Sequence, residues 1–323
     1  MKHFDSSLQA IGNTPLVKLN KICETYKSNF FAKLEYLNPS GSIKDRMALY
    51  IIEEAEKNGW LKPNGVIVEN SSGNTGAALA MIAAIKGYRC IITIPDKMSQ
   101  EKIDAMKAYG AEVIVTKTDV PADSVESYYS MARQIAKETP NSYYPDQYNN
   151  PSNIEAHFLT TGPEIWEQTD GEIDVLIAGM GTGGTLSGAG RYLKQMNPHI
   201  KIIGVDPYGS VFYEYFKTGK LPAPHTYKVE GIGEDYLVKD VDFKLLDEII
   251  QVNDKDSFFA TRQLAKQEGI FAGGSSGSAL WSAMKYAQKI EKKENIVIIF
   301  PDNGSRYLSK IYNDEWMKKN SFL

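Results

Sequence analysis

Short runs of apolar, mostly β-branched residues alternate along the chain with longer segments in which apolar positions recur at helical spacing. We predict strands at 30–36, 66–70, 90–95, 112–116, 174–179, 201–206 and 295–301, and helices that include 43–57, 75–87 and 184–196. Strands that alternate with helices are typical of parallel sheets covered by helices on both faces. The pattern therefore predicts an α/β fold with parallel-type sheets.

Chain length and turn-rich segments indicate how this fold is divided. A chain of 323 residues is long enough to form two domains. The turn-rich stretch 145–153 separates two blocks of strand–helix units and is a candidate domain junction. The stretch 207–243 is long and weakly patterned, and loops of that length in compact domains are often functional.

Charge, cysteine content and apolar runs indicate which partners, and which cellular compartment, we expect for this protein. The net charge is −4 with both signs interspersed, which gives no electrostatic case for a nucleic-acid or anionic-membrane partner. The two cysteines, Cys23 and Cys90, form neither a disulfide framework nor a zinc-ligand pattern, and we expect no metal site. The first residues contain no apolar signal core, and no run reaches the ~18 apolar residues of a membrane span. We expect a cytoplasmic protein.

Four segments share one design, in which a turn rich in glycine, serine and threonine leads from a strand candidate into a helix. They are 38–46, 69–78, 178–188 and 271–280. In open parallel sheets, ligands bind at the carboxyl ends of the strands, where helix N-termini offer unpaired N–H groups to anions. Each turn by itself is equally explained as a tight turn or a helix cap. The four together favour a ligand site.

The third turn fits two kinds of phosphate ligand. Its sequence GMGTGG (179–184) matches the dinucleotide fingerprint, and Asp206 ends the next predicted strand, roughly where a ribose-binding acid would lie. The hydroxyl groups of Thr182 and Thr185 instead suit a single phosphate monoester held by backbone N–H groups and side chains. The local pattern leaves both interpretations open.

The first turn contains the candidate for covalent chemistry. Ser42 and Asp45 have the spacing of a capping box, which predicts that Lys44 lies in the first turn of a helix. An ammonium group there opposes the helix dipole, which favours the neutral amine that a Schiff base requires. The alternative is that Lys44 is an ordinary solvated surface lysine.

These segments, together with 11–20 and 154–166, resemble the β-family of pyridoxal-phosphate enzymes, the fold-type-II group of cysteine synthases and cystathionine β-synthases. The resemblance runs from about Ile11 to the C-terminus. It implies pyridoxal 5′-phosphate as cofactor and a fold like that of the tryptophan synthase β-subunit. It also implies a smaller, mobile domain (45–150) that closes on substrate and a larger, cofactor-binding domain (1–44 plus 151–323). We further expect small amino-acid substrates and a homodimer.

The resemblance assigns cofactor contacts residue by residue. Lys44 matches the lysine that forms the internal aldimine, and Asn74 matches the residue that bonds the cofactor's phenolic oxygen. Ser275 matches the hydroxyl that faces the pyridine nitrogen, which makes the ring a weaker electron sink than a carboxylate would. The residues that match the phosphate cradle are Gly181, Thr182, Gly183, Gly184 and Thr185. This match favours pyridoxal phosphate over a dinucleotide.

The resemblance also implies a reaction. Lys44 would remove the α-proton, loss of the β-substituent would leave an aminoacrylate, and a thiol would add to it. The residues that match the loop around the substrate α-carboxylate are Ser71, Ser72, Asn74 and Thr75, together with Gln147. An amino-acid dehydratase shares the fold but would release a keto acid and ammonia. A non-catalytic binding protein is disfavoured because Lys44, Asn74 and Ser275 are all present.

Within the group, several segments favour cystathionine formation over cysteine synthesis. Tyr148 stands where cysteine synthases typically have phenylalanine, and we expect it to be a catalytic residue beside Lys44. The stretches 205–210, 229–236 and 314–323 also resemble cystathionine β-synthases. The expected substrates are serine or O-acetylserine with homocysteine. Cysteine synthesis with sulfide, and sulfide release from cysteine, remain alternatives. We expect neither haem nor a regulatory module, because nothing precedes Met1 or follows Leu323 to form them.

The acidic segment after the Gly-Ile-Gly triplet is the candidate site for the second substrate. Homocysteine brings an ammonium group that sulfide lacks, so an acid such as Glu234, next to Gly233, would matter only for the larger thiol. Glu234 replaces an aromatic residue that is usual in animal relatives, which leaves the second-substrate pocket open. O-acetylserine, or cysteine with release of sulfide, is an alternative to serine as the first substrate. The alternative is that Glu234 belongs to a solvated acidic loop.

Overall fold

The computed structural model describes residues 1, 3–118, 120–121 and 124–323. Its strands are β1 (Leu16–Leu19), β2 (Asn29–Leu34), β3 (Val66–Asn70), β4 (Arg89–Pro95), β5 (Glu112–Thr116), β6 (Ser142–Tyr143), β7 (Val175–Gly179), β8 (Lys201–Pro207), β9 (Glu248–Val252) and β10 (Asn295–Phe300). Its α-helices are α1 (Lys44–Lys57), α2 (Asn74–Lys86), α3 (Gln100–Ala108), α4 (Tyr128–Glu138), α5 (Pro151–Leu159), α6 (Thr161–Gln168), α7 (Gly184–Met196), α8 (Phe212–Thr218), α9 (Asp254–Glu268), α10 (Gly274–Ala287) and α11 (Asp314–Lys319). Short 3-10 helices lie at Ser7–Ala10, Glu35–Leu37 and Gly304–Tyr307. The predicted α/β class is confirmed.

The larger sheet has the order β1-β2-β10-β7-β8-β9. Its strands are parallel except for β1, which pairs with β2 in the antiparallel direction. In β7, Val175 and Ile177 belong to a core shared with α9 and α10, whereas Leu176 and Ala178 belong to a core shared with α6 and α7. A strand buried on both faces needs apolar residues at every position, which explains the unbroken apolar run at 175–178.

The smaller sheet has the order β5-β4-β3-β6, and all of its pairings are parallel. Ile67 packs with apolar residues of α1, α2 and α3, while Val66 and Val68 pack on the opposite face with residues of α4. All four strands fall within 45–150. Movement of this part as a separate domain stays a prediction.

The main differences from the sequence expectations lie at short elements and at one helix start. The edge strands β1 and β9 and the two-residue strand β6 were not predicted. The predicted capping box is wrong, because the N-cap of α1 is Ile43 and no side chain caps the helix. Asp45 instead accepts a hydrogen bond from the N–H of Ser40 at 2.7 Å. Lys44 is nevertheless the first residue of α1, as expected for the first turn.

The weakly patterned stretch 207–243 contains α8 and is otherwise largely irregular. Within this stretch, residues 224–235 line the cavity that contains Lys44. The sequence expectation that this stretch contributes to a functional site therefore has a structural basis. Across the described ranges, no helix is both long and apolar enough to cross a membrane.

Candidate active site

A cavity of ≈ 520 Å³ lies at the carboxyl ends of parallel strands from both sheets, and residues 224–235 also line it. The predicted site residues that line it are Lys44, Ser72, Asn74, Thr75, Gln147, Tyr148, Gly181, Thr182, Gly233, Glu234 and Ser275. Gly183 and Thr185 line a smaller recess that shares Lys44 and Thr182 with this cavity. The structure thus brings together residues that are up to 231 positions apart in the sequence (Lys44 and Ser275).

Lys44 has the local setting of a reactive amine. Its own N–H donates to Ser42 Oγ at 3.3 Å, which helps to fix the start of α1. Burial lowers the pKa of Lys44 below that of an ordinary lysine, although the nearby carboxyls of Asp302 and Glu234 oppose this shift. A lysine with a lowered pKa more readily provides the neutral amine that nucleophilic or base chemistry requires.

The turn between β7 and α7 has little room for side chains. Gly183 has a φ of +87°, and a Cβ there would lie 2.7 Å from the carbonyl oxygen of Asp240. A Cβ on Gly184 would lie 1.9 Å from Oδ1 of Asn153. Because the first N–H groups of a helix have no intrahelical partners, this start of α7 suits an anion. Asn153 also donates to Thr182 Oγ1 at 3.1 Å, which orients that hydroxyl group.

A buried histidine supports the second hydroxyl group of this turn. His157 Nε2 lies 3.3 Å from Thr185 Oγ1, and its Nδ1 lies 2.8 Å from Thr161 Oγ1. Burial first, and then the positive charges of Lys44 and Arg46, hold the pKa of His157 well below its usual value. A neutral imidazole can orient a hydroxyl group without adding a charge. The glycines, hydroxyls and helix N-terminus therefore fit the phosphate of pyridoxal phosphate.

The loop between β3 and α2 forms the opposite wall. Ser71 Oγ accepts hydrogen bonds from the N–H groups of Gly73 and Gly76 at 3.0 and 2.9 Å, so this hydroxyl group stabilises the conformation of the loop. Thr75 Oγ1 donates to Gln147 Oε1 at 2.5 Å, and Gln147 Nε2 donates to the carbonyl of Asn70 at 2.9 Å. Gln147 is therefore hydrogen-bonded to the loop that the family resemblance placed beside it.

A cluster of tyrosines surrounds Glu234 at the other end of the cavity. Tyr129 Oη donates to Glu234 Oε2 at 3.4 Å, and the Tyr129 ring lies 5.8 Å from that of Tyr148. Tyr148 Oη is 3.5 Å from the hydroxyl of Tyr128. Burial, reinforced by Asp235, raises the pKa of Glu234 to about 8. Burial and Glu234 also raise the pKa of Tyr148 well above its usual value, so its hydroxyl stays neutral.

Two ion pairs connect Glu230, which precedes Gly231, to α3 and to the C-terminal part of the chain. Lys102 of α3 donates to Glu230 Oε2 at 2.7 Å, and Lys310 donates to the other oxygen at 2.7 Å. The side chains of Lys102 and Glu230 are 1% and 7% exposed, so this contact is almost dry. Burial opposes ionisation of Glu230, but the two lysines hold its pKa below the usual value.

Asp206 does not have the setting of a ribose-binding acid. Its carboxylate is fully buried and accepts from the N–H of Tyr213 at 3.0 Å, at the start of α8. Burial raises the pKa of Asp206 to about 7. The acid therefore stabilises α8, which removes the main support for a dinucleotide site.

Sequence reasoning missed several side chains that line the cavity or form hydrogen bonds to residues of the site: Tyr128, Tyr129, Asn153, His157, Asp302 and Arg306. Asp302 carries a usable signal, because it comes two residues after the parallel strand β10. His157 lies within the stretch 154–166, which was noted only as a whole. The tyrosines lie at the start of an amphipathic helix, where the sequence offers no sign of a ligand.

Comparisons with known proteins agree with this geometry. Residues 7–302 match the family described as pyridoxal-phosphate dependent enzyme. A cystathionine beta-synthase from Apis mellifera is 48% identical over 318 residues, which are 98% of this chain and 63% of that protein. A cysteine synthase from Staphylococcus aureus is 42% identical over 309 residues, 95% of this chain and 96% of that protein. The chain thus spans about three fifths of the cystathionine beta-synthase.

Two solved structures share the whole architecture. An O-acetylserine dependent cystathionine beta-synthase from Helicobacter pylori superposes with a TM-score of 0.89 at 37% identity, covering 97% of this chain and all of that one. A hydrogen sulfide-producing enzyme from Fusobacterium nucleatum has a TM-score of 0.88 at 38% identity, covering 95% of this chain and all of that one. Two proteins that are named for different activities are therefore about equally similar to this chain in fold.

Proposed function

The chain belongs to the family of pyridoxal-phosphate dependent enzymes, and on this premise we propose that it joins serine or O-acetylserine to homocysteine to form cystathionine. Family membership and the similar structures confirm the predicted cofactor, the fold type and the class of β-replacing enzyme related to cystathionine β-synthases and cysteine synthases. The choice of substrates is our proposal. The observation that carries it is the Glu234 carboxyl in the same cavity as Lys44.

We propose that Lys44 attaches the cofactor and that the α7 turn, with Thr182 and Thr185, holds its phosphate. Asn74 would face its phenolic oxygen and Ser275 its pyridine nitrogen. When bound, the cofactor supplies a carbonyl for amines and a conjugated ring that stabilises negative charge at the substrate α-carbon. These assignments rest on the shared cavity and on the close fit of the glycine turn.

The first substrate is held by its α-carboxylate in this proposal. The loop residues Ser72, Asn74 and Thr75 line the cavity, while Gln147 and Ser71 hold the loop in place. Lys44 then takes the proton from the substrate α-carbon and returns it after the new bond to the β-carbon has formed. Its lowered pKa suits both steps, because the amine can be neutral before the transfer and charged after it.

The second substrate is selected at the tyrosine cluster in this proposal. A carboxyl with only one side-chain hydrogen bond among the described residues, 3.4 Å from Tyr129, has capacity for a cation. The ammonium group of homocysteine is such a cation, whereas sulfide has none. Tyr148, which contacts Tyr128 and Tyr129, would shape the pocket and contact the reacting groups without ionising. The similarity to cystathionine beta-synthases favours the same assignment.

We also propose that 45–150 closes on the substrate as a mobile domain. The Lys102–Glu230 contact supports this, because it joins α3 to the segment that carries Glu234. The homodimer and the cytoplasmic location remain predictions. Cysteine synthesis and sulfide release from cysteine are the second candidates, favoured by the names of a cysteine synthase relative and of a sulfide-producing structural neighbour.

One kinetic comparison tests the proposal. Serine, O-acetylserine and cysteine are each offered with homocysteine and with sulfide, and kcat/KM is measured for every pair. A higher kcat/KM with homocysteine than with sulfide, for serine or O-acetylserine, supports cystathionine formation. A preference for sulfide would instead support cysteine synthesis, and rapid sulfide release from cysteine would support the third reaction. Pyruvate formed without any thiol would indicate a dehydratase.

A further inference from the structure

The side-chain amide of Asn74 is held at both ends by buried charged groups. Its Oδ1 accepts a hydrogen bond from Arg306 Nη1 at 2.9 Å. Its Nδ2 donates to Asp302 Oδ2 at 2.8 Å. Asp302 is fully buried and Arg306 is 6% exposed, so little water competes for either contact.

These two partners allow only one orientation of the amide. A guanidinium group can only donate hydrogen bonds, and a carboxylate can only accept them. Rotating the amide of Asn74 by 180° would place its NH2 group against the donors of Arg306 and its oxygen against the carboxylate of Asp302. The positions of nitrogen and oxygen in an amide are usually inferred from such networks, and here the network leaves no choice.

The fixed orientation leaves one N–H group unused. An amide nitrogen carries two hydrogens, and Asp302 takes one of them. Within the described part of the chain, the second hydrogen of Asn74 Nδ2 has no hydrogen-bond acceptor. Asn74 lines the same cavity as Lys44 and Ser275, so this N–H group is available to a ligand there.

Both partners come from one short segment that is itself tightly held. Asp302 Oδ2 also accepts from the hydroxyl of Tyr307, and the backbone carbonyl of Asp302 accepts from Gly273 N–H at 3.0 Å. Arg306 Nη2 donates to the carbonyl of Ser40, in the turn that precedes Lys44. The guanidinium group therefore contacts both the turn that leads to Lys44 and the amide of Asn74.

We propose that Arg306 and Asp302 are positioning residues that lock the Asn74 amide with its free N–H group towards the phenolic oxygen of bound pyridoxal phosphate. This inference rests on the proposed cofactor contact of Asn74. A donor at that oxygen favours its ionised form. Arg306 and Asp302 thus control the protonation state of the bound cofactor without touching it.

The test uses the visible spectrum of the bound cofactor, because the ionised phenolic form absorbs at longer wavelength than the neutral form. The variants are Arg306→Met, Asn74→Ala, the double variant, and Arg306→Lys, with Arg262→Met as a control at a surface ion pair. The ratio of the long-wavelength band to the short-wavelength band is measured at several pH values. Circular dichroism checks folding, and borohydride reduction of the wild type checks that the cofactor is attached to Lys44.

We expect Arg306→Met and Asn74→Ala each to lower the band ratio, and the double variant to match Asn74→Ala alone. Arg306→Lys, which keeps a donor for Asn74, should recover much of the ratio, and Arg262→Met should not change it. Cofactor affinity should fall further in the double variant, because Arg306 also holds the turn before Lys44. The inference is overturned if Arg306→Met has the same band ratio as the wild type. It is also overturned if Arg306→Met lowers the ratio as much in the Asn74→Ala background as it does in the wild type.

Two further outcomes are also decisive. If Arg306→Met does not fold, the inference still requires that Arg306→Lys, alone and with Asn74→Ala, follow the pattern given above, and any other result rejects it. If borohydride labels a lysine other than Lys44, the proposed cofactor site is wrong. A label on Lys44, with a lowered band ratio in Asn74→Ala and an unchanged ratio in Arg306→Met, instead rejects only the positioning role of Arg306.

Discussion

Replacing Glu234 by glutamine removes one charge from the cavity and leaves the shape of the side chain nearly unchanged. Among the described residues, only the Tyr129 hydroxyl, at 3.4 Å, bonds the Glu234 carboxyl, and a glutamine oxygen can accept the same bond. The proposed partner of the carboxylate is the ammonium group of homocysteine. We therefore expect Glu234→Gln to impair reaction with homocysteine and to spare reaction with sulfide.

The size of this effect depends on pH, because burial and Asp235 raise the pKa of Glu234 to about 8. At pH 7, one unit below that pKa, ionising the carboxyl costs about 1.4 kcal/mol. A hydrogen bond to a charged group contributes about 1.5–3 kcal/mol. The net benefit at pH 7 is then between zero and about 1.6 kcal/mol, or up to roughly 15-fold in kcat/KM. Near pH 9 the carboxylate is already formed, and the benefit rises to roughly 10- to 150-fold.

The assay measures kcat/KM for homocysteine and for sulfide between pH 6.5 and 9, at a fixed concentration of the donor amino acid. The ratio of wild type to Glu234→Gln cancels the titration of the thiol, which both variants share. Because Glu234 also acts on the pKa of Lys44, the sulfide series serves to detect any change at Lys44 itself. For homocysteine this ratio should rise through about pH 8, and for sulfide it should stay near one. Asp235→Asn serves as the matched control, because removing the neighbouring charge should move the rise to lower pH.

Two results would refute the reasoning. If Glu234→Gln lowers kcat/KM equally for homocysteine and for sulfide, Glu234 maintains the structure of the cavity rather than binding an ammonium group. A homocysteine ratio that does not change with pH would mean that the carboxyl does not need to ionise, so no charge pair forms. In either case the preference for cystathionine formation would rest on Tyr148 and on the similarity to relatives alone.

Four further variants test the remaining assignments. Lys44→Ala should abolish covalent attachment of the cofactor after borohydride reduction, and a label on another lysine would contradict the assignment. Thr182→Val should weaken cofactor binding by about 1–3 kcal/mol in a fluorescence titration, since it removes a bond to a charged group. Gln147→Ala should raise the KM for serine while cofactor affinity stays at the wild-type value. Lys102→Met should lower the free energy of unfolding in urea by about 2–4 kcal/mol, because its buried glutamate partner loses one of two cations. The exposed pair of Lys57 gives the control, with a loss under about 1 kcal/mol for Lys57→Met.

The sequence predicts several elements with the bounds that the structure shows, among them a strand that is buried along its whole length (β3) and a strand at a sheet edge (β5). The bounds of β3, β5 and α7 coincide with the predicted ranges 66–70, 112–116 and 184–196. Glycine-rich turns mark where these elements begin and end, so the positions of the ligand-binding loops followed from local pattern. The strands that escaped prediction are short and lie mostly at sheet edges, where burial on one face is incomplete and the apolar signal is weak.

The parts of the site that the sequence did not reveal depend on contacts between distant positions. Asn74 and Arg306 are separated by 232 residues, and Asn74 and Asp302 by 228. No periodic pattern or local motif links such positions, so only the folded chain shows that they meet. The capping-box prediction failed for a related reason, because Ser40 reaches the carboxylate of Asp45 and leaves Ser42 to bond the N–H of Lys44.

The charges that surround the cavity indicate which second substrate the site can stabilise. Glycine turns and the start of α7 favour an anion at one end, while Glu234 offers a carboxyl at the other. Burying a carboxylate costs free energy, and burial is the main reason that the pKa of Glu234 is raised. Sulfide at neutral pH brings a further negative charge, and this charge opposes ionisation of Glu234. Homocysteine brings an ammonium group that favours ionisation of Glu234. When this substrate binds, the buried carboxylate of Glu234 would therefore gain a cation and form an ion pair.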